Sequence, residues 1–359
     1  MNNIIRVGAL AAVSALALAA CSSAPEDTGS SSEPTTSTPT ETIDFKPCMV
    51  SDEGGFDDAS FNQTGYEGLV AAAEELGVEF KTAESQDSND YAPNIDALVA
   101  DACDLIVTVG FNLADATIAG ALANPDTNFA IIDDAADADF NGETDAPNIK
   151  PLQFQTDEAA FLAGYAAAAT TATGTVATFG GINIPPVTIF MNGFLAGVNY
   201  FNETTGGDVT LLGWDGTDGS FTGDFSDQTK GQSTAQGFID QGADIILPVA
   251  GPVGLGAAAA AQSAGDVWII GVDADWTVTT DYADIVLTSV LKNTGVAVHD
   301  VIIETATGAG FSGEPYLGTL ENEGVGLAAL NAVVSADVAA ELETIKAGII
   351  DGSISVAVS

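Results

Sequence analysis

From Phe45 onward the chain alternates short apolar runs with longer amphipathic stretches, and it does so in two successive series. No other feature restricts the fold as much. The first series predicts strands at residues 48–51, 78–83, 105–109 and 129–133, separated by helices over residues 61–76, 95–102 and 114–123. Strand–helix–strand units at this spacing make parallel crossovers, so the expected class is α/β. A polar stretch follows at residues 137–148, and Leu152-Gln153-Phe154 then carries the chain toward a second body. There the pattern resumes with a helix at 158–169, a strand at 175–179, a helix at 187–201 and a strand at 209–214. A helix at 232–241, a strand at 245–249, a helix at 254–264 and a strand at 268–272 continue it. Residues 286–291 read as a further strand and 294–305 as its helix, with a tail helix at 338–348 and a short strand at 354–358. Two such series predict two lobes and a cleft, with a ligand beyond the carboxyl ends of the strands.

Composition removes several functions. Only 7 Lys+Arg stand against 51 Asp+Glu, a net charge of −44. With no basic surface to displace counterions, the chain argues against nucleic acid as a partner and against docking to an anionic membrane surface. One histidine and three cysteines leave too little for a zinc cage or a His-based centre, so neither metal nor cofactor is expected. The acidity fits a saline setting, where hydrated carboxylates keep a protein soluble; composition bias of the lineage is the alternative.

Residues 1–20 read as an export signal. Arg6 precedes an apolar run, residues 7–20, too short for a comfortable membrane span. The run ends Leu18-Ala19-Ala20-Cys21, similar to a bacterial lipobox, in which the cysteine is lipidated and becomes the mature N-terminus. An ordinary secretory signal with a chance cysteine is the alternative. Residues 21–43 are rich in Ser, Thr, Pro and Glu and read as a flexible tether. The expectation is an extracytoplasmic body anchored to the cell membrane through Cys21. Of the other cysteines, Cys48 falls in the first strand and Cys103 just before the third. Those strands are neighbours in a doubly wound sheet, so a disulfide is expected, with two buried free thiols as the alternative.

The strand ends nominate candidate binding residues. After the first strand come Asp52, Gly54-Gly55, Ser60, Phe61 and Asn62. Asp52 offers a carboxylate to ligand N–H or O–H groups, Ser60 a helix cap, and Phe61 a flat apolar face; a plain Gly-rich turn with Phe61 in the core is the alternative. Asn112 follows the third strand and suits a ring edge or a helix cap, while Asp133 ends the fourth as either a loop brace or a ligand group. In the second series, one of Phe190 and Phe194 faces the cleft and the other the core. Gly251 sits in a turn that exposes backbone N–H groups, and Asp273 ends a strand. Lys292 stands out where lysine is scarce: it suits ribose hydroxyls or an interlobe salt bridge. His299 lies in a predicted helix away from the strand ends.

Together these residues resemble the basic membrane protein family, ABC-transporter substrate-binding lipoproteins that include purine nucleoside receptors. Asp52 to Gln63 is similar to the family signature Asp-x-Gly-Gly-x-x-Asp-x-Ser-Phe-Asn-Gln. Asn124-Pro125-Asp126, Phe225-Ser226-Asp227, Gly271-Val272-Asp273-Ala274-Asp275 and Leu287-Thr288-Ser289 to Lys292 follow in the family's order. Trp276 departs from it, standing where the family commonly shows Gln. The resemblance implies the type I periplasmic-binding fold, two α/β lobes joined by three crossovers with the ligand cleft at the hinge. Residues 44–152 with about 278–320 would form one lobe, residues 286–313 returning to it. Residues 153–277 with part of the tail would form the other. It also implies a base clamped between Phe61 and either Phe190 or Phe194. Asp52 and Asn112 would address the base edge beside Asn62, and Asp273 and Lys292 would hold the ribose near Gly251. The function implied is capture of nucleosides for an ABC permease, without catalysis. The alternatives are the same role for a sugar or other small polar solute, and a nucleoside or glycoside hydrolase built on Asp52 and Asp273.

Overall fold

The computed structural model describes residues 43–308 and 310–357. The expected export signal, Cys21 and all but the last residue of the expected tether lie outside the described residues.

The first series forms β1 (Pro47–Val50), α1 (Phe61–Leu76), β2 (Lys81–Ala83), α2 (Tyr91–Ala100), β3 (Leu105–Val109), α3 (Ala114–Ala123), β4 (Asn128–Ile132) and β5 (Ile149–Phe154). The second forms α4 (Thr156–Thr170), β6 (Thr175–Gly180), α5 (Pro185–Thr205), β7 (Thr210–Leu212), α6 (Gln228–Ile239), β8 (Ile245–Val249), α7 (Val253–Ala264) and β9 (Trp268–Asp273). The chain closes with α8 (Trp276–Thr279), β10 (Val286–Lys292), α9 (Thr294–Thr307), β11 (Tyr316–Gly318), β12 (Val325–Leu327) and α10 (Ala336–Ile350).

Two six-stranded sheets result, ordered β11-β5-β4-β3-β1-β2 and β12-β10-β9-β8-β6-β7. Among the described residues every pairing between these strands is parallel except β12 on β10. The central strands are buried on both faces, as their unbroken apolar runs require: β3 reads Leu-Ile-Val-Thr-Val and is buried throughout. Among the described residues the chain passes between the sheets at β5 to α4, at β10 to α9 and at β11 to β12. Three passes between rigid bodies make a hinge.

One expected boundary is corrected. Residues 286–292 do not return to the first lobe: β10 lies in the second sheet, with Ser289 opposite Gly271 and Val290 opposite Val272. Its buried run needs a neighbour on each side, and β9 and β12 supply them. The return comes one element later, when α9 packs on α1. Gly68 makes that packing possible, because a Cβ there would meet the carbonyl of Gly295. The hydroxyls of Thr64 and Thr294 meet at 2.6 Å in the same seam. The expected strand over residues 354–358 is also absent from the described part of that segment, which is irregular.

Cys48 and Cys103 are joined as a disulfide with Cα atoms 6.0 Å apart. Strict ladder partners on parallel strands aim their side chains poorly for such a bond. Cys103 escapes this because it precedes β3, in a turn where Ala102 takes a φ of 57°.

Candidate ligand-binding site

The carboxyl ends of both sheets face one cleft enclosing about 630 Å³ of empty space, counting solvent at its mouth. From the first lobe, the loop after β1 delivers Asp52, the start of α1 delivers Phe61 and Asn62, and the turn after β3 delivers Phe111 and Asn112. From the second, the start of α5 delivers Phe190 and the turn after β8 delivers Gly251. Asp273 ends β9 and Lys292 ends β10.

The first loop is held by two acids. Asp58 is buried and accepts from the backbone N–H groups of Ser60, Asn62 and Gln63 at 2.9, 2.9 and 3.0 Å, and from the Asn62 amide at 3.1 Å. It thus caps α1, the task expected of Ser60. Ser60 instead donates its hydroxyl across the cleft to Asp273 Oδ2, at 2.8 Å. Asp52 accepts through Oδ1 from Gly54 N–H at 3.1 Å and Asn62 Nδ2 at 2.7 Å. Among the described residues its Oδ2 has no hydrogen-bond partner, and it lies beside Gly110, where a Cβ would crowd it at 3.2 Å. Burial pushes the Asp52 carboxyl up to about 6, against the hydrogen bonds from Asn62 and Gly54. Asn62 is therefore a brace that orients Asp52.

Lys292, at the end of β10, also lines the cleft and is buried. Its ammonium is 2.6 Å from Asp133 Oδ2 and 3.5 Å from Asp273 Oδ1. Burial works to neutralise the amine, yet the two carboxylates outweigh it and hold its pKa above the ordinary lysine value. The same ammonium lies 4.6 Å from the centre of the Phe61 ring and 5.2 Å from that of Phe190. Both aromatic faces thus turn toward one charged corner.

The structure gathers Asp52, Phe61, Asn62, Asn112, Phe190, Gly251, Asp273 and Lys292 on the one cleft. Phe194 is not among them. It is fully buried, one helical turn further along α5, and its backbone packs on Gly164 of α4. Residues i and i+4 share a helix face, but only the first two turns of α5, as far as Phe190, reach the cleft. Trp276 is likewise internal: its indole donates to Val272 O at 3.1 Å, so this departure from the family pattern lies behind Asp273. His299 lies on α9, its Nε2 3.1 Å from Glu75, outside the cleft. Phe111 and Phe225 line the cleft without having been singled out as binding residues, and so does Asp133, which the sequence left open between a loop brace and a ligand group. Asp133 carried one signal, a strand-end position matching that of Asp273.

Comparison with known proteins places the chain. The model of a family described as ABC transporter substrate-binding protein PnrA-like (Bmp) matches residues 45–359. The ABC transporter nucleoside-binding protein BmpA of Lactococcus lactis subsp. cremoris is 31% identical over 373 residues, covering 99% of each chain. An uncharacterized lipoprotein of Pyrococcus abyssi is 33% identical over 302 residues, covering 81% of this chain and 70% of the other. An ABC transporter solute-binding protein of Aeropyrum pernix superposes with a TM-score of 0.75 at 28% identity, over 87% of this chain and 92% of that one.

Proposed function

The chain belongs to the basic membrane protein (PnrA-like) family of ABC transporter substrate-binding proteins, and we propose that its ligand is a purine nucleoside. The supporting observation is the pairing of two unlike ends in one cleft. One end has Asp52, with an unpartnered carboxylate oxygen beside the Phe61 ring. The other has Lys292 between Asp133 and Asp273.

A nucleoside has matching ends. Its planar base stacks on Phe61 and Phe190, each contact worth roughly 1–3 kcal/mol by truncation. A base N–H donates to Asp52 Oδ2, and Asn112 reads the remaining edge. The ribose hydroxyls donate to Asp273 and accept from Lys292. Four carboxylates line this cleft against a single amine, so a nucleotide phosphate meets net negative charge and is rejected. The Lactococcus relative is named for nucleoside binding, in keeping with this reading.

Capture is by lobe closure. Phe61 and Ser60 ride on the first lobe, Phe190 and Asp273 on the second, so a ligand touching both favours the closed form. The closed form is what a membrane permease would recognise. The lipobox-like Cys21 would hold the body at the membrane, and the Pyrococcus relative is named as a lipoprotein. Among the described residues no helix is long and apolar enough to cross a membrane.

Calorimetric titration with adenosine, guanosine, inosine, cytidine and ribose tests the ligand assignment. Micromolar or tighter binding of at least one purine nucleoside, with ribose weak, is expected. Binding of sugars without any nucleoside would replace this reading with the sugar alternative.

A further inference from the structure

The two acids that end the cleft are held in different ways. The hydrogen bonds to the Asp52 carboxylate, from Gly54 N–H and Asn62 Nδ2, come from its own lobe. That carboxylate keeps its aim whether the lobes are open or closed. The backbone under Asp273 is also set locally: Ala274 N–H donates to Val272 O at 2.8 Å, and the Trp276 indole donates to the same oxygen at 3.1 Å. The Asp273 carboxylate is not. Among the described residues its short hydrogen bond comes from Ser60 of the first lobe, at 2.8 Å, while Lys292 of its own lobe stays 3.5 Å from Oδ1. Lys292 in turn leans to Asp133 of the first lobe, at 2.6 Å. Parting the lobes takes both first-lobe partners away and leaves Lys292 and Asp273 to pair with each other.

Ser60 serves this contact rather than its helix. It directly precedes α1, yet its side chain makes no capping bond, whereas Ser335 before α10 accepts from Val338 N–H at 3.3 Å. Asp58 has taken the capping task at α1. The preceding residue, Ala59, has a φ of 55°, a left-handed conformation uncommon for alanine. Ser60 is buried and does not line the cleft, so an occupant of the cleft meets its hydroxyl only through Asp273.

We propose that Ser60 is a positioning residue that makes recognition of the ribose hydroxyls conditional on lobe closure; the proposal rests on the nucleoside reading. The base is met first, by an acid already in place. Closure then brings the Ser60 hydroxyl onto Asp273 Oδ2 and fixes the plane of that carboxylate, so its remaining lone pairs meet the ribose hydroxyls. A deoxy sugar closes the same cleft but leaves those acceptors unpaired. Discrimination between the two therefore lies in release, not in capture.

The test compares adenosine and guanosine with their 2′-deoxy and 3′-deoxy forms, by calorimetry and stopped-flow kinetics. In the wild-type protein at least one deoxy form should bind about ten-fold or more weakly than its parent. Association rates should agree within about two-fold, with the difference in dissociation. In Ser60→Ala the ratio of deoxy to parent Kd should fall to within about three-fold. In an Asp273→Asn background, Ser60→Ala should change that ratio no further, as coupled residues require. An affinity loss in Ser60→Ala that is equal for parent and deoxy forms would make Ser60 a mere latch and overturn the proposal. So would a wild-type ratio near one, or a wild-type preference carried by association. If ribose binds and no nucleoside does, the nucleoside reading falls, and ribose against 2-deoxyribose decides the role of Ser60 by the same ratios. If neither nucleosides nor ribose bind, both fall.

Discussion

Asp133 and Asp273 approach the same ammonium, that of Lys292, from opposite lobes, and both do so from left-handed backbone, with φ of 67° and 66°. Asp133 directly follows β4 and Asp273 ends β9, central strands of the two sheets. A non-glycine residue in this region is uncommon and costs about 1 kcal/mol or more, so its occurrence at both strand ends marks a function. The bend turns each carboxylate off the strand axis toward the cleft. Ser60 then extends the chain of contacts from Asp273 back to the first lobe. The resulting line, Asp133 to Lys292 to Asp273 to Ser60, crosses the cleft and is complete only when the lobes are closed.

Replacing Lys292 by Met should leave two carboxylates facing each other in a buried corner. Removing one partner of such a group typically costs about 3–5 kcal/mol. Chemical denaturation at pH 7.5 should show that loss, with partial recovery at pH 5 as the acids take up protons. A triple variant, Asp133→Asn, Lys292→Met and Asp273→Asn, should regain stability but not ligand affinity. Unchanged stability of the single variant would remove the ion cluster from this account.

Phe61→Leu and Phe190→Leu should each weaken purine nucleoside binding by roughly 1–3 kcal/mol, about 5- to 150-fold, while leaving the fold intact. Phe194→Leu should do the reverse, lowering the melting temperature through a core defect with little effect on affinity. Calorimetry paired with thermal unfolding separates the two behaviours. Similar affinity losses at Phe190 and Phe194 would contradict the assignment.

The raised carboxyl of Asp52 gives a pH dependence. Its folded value of about 6 exceeds the usual 3.8, so the empty folded protein holds this proton more tightly than the unfolded chain. This group therefore adds stability as pH falls from about 6 toward 4 and subtracts it above. Binding through a ligand N–H needs the charged form. Affinity should be flat above about pH 7 and decline below pH 6, by at most ten-fold per unit. Asp52→Asn should flatten that profile.

Reduction of the Cys48–Cys103 bond should lower stability by about 2–4 kcal/mol, since it closes a long loop between neighbouring strands. The bond lies at the amino end of β1, away from the cleft, so affinity at low temperature should hold. A Cys48→Ala, Cys103→Ala variant measured by denaturation and calorimetry checks both halves.

With a net charge of −44, repulsion among surface carboxylates should dominate at low ionic strength. The melting temperature should fall markedly between 1 M and 10 mM NaCl. An unchanged value would favour composition bias over a saline setting.

Much of the architecture was legible because parallel strands are buried on both faces and so stand out as apolar runs between helices. Asp52 and Phe61 were legible because the strand-end loop places them in a dense motif. Three things were not. The sequence shows that residues 286–292 form a strand but not which sheet takes it, since that depends on pairing with β9. It shows two phenylalanines on α5, four residues apart on one face, but not how far the cleft reaches along it. It shows Ser60 at a helix start, where capping is the local expectation, while a buried neighbour, Asp58, takes that role and frees the hydroxyl for Asp273. Each miss concerns a long-range partner, which local pattern does not encode.

A crystal structure of the protein with its best-binding purine nucleoside tests the central claim most directly. The base should lie against the Phe61 and Phe190 rings with a base N–H on Asp52 Oδ2, and the ribose should touch Asp273 and Lys292. A nucleoside bound elsewhere, or turned so that its sugar meets Asp52 and its base meets Lys292, would contradict it.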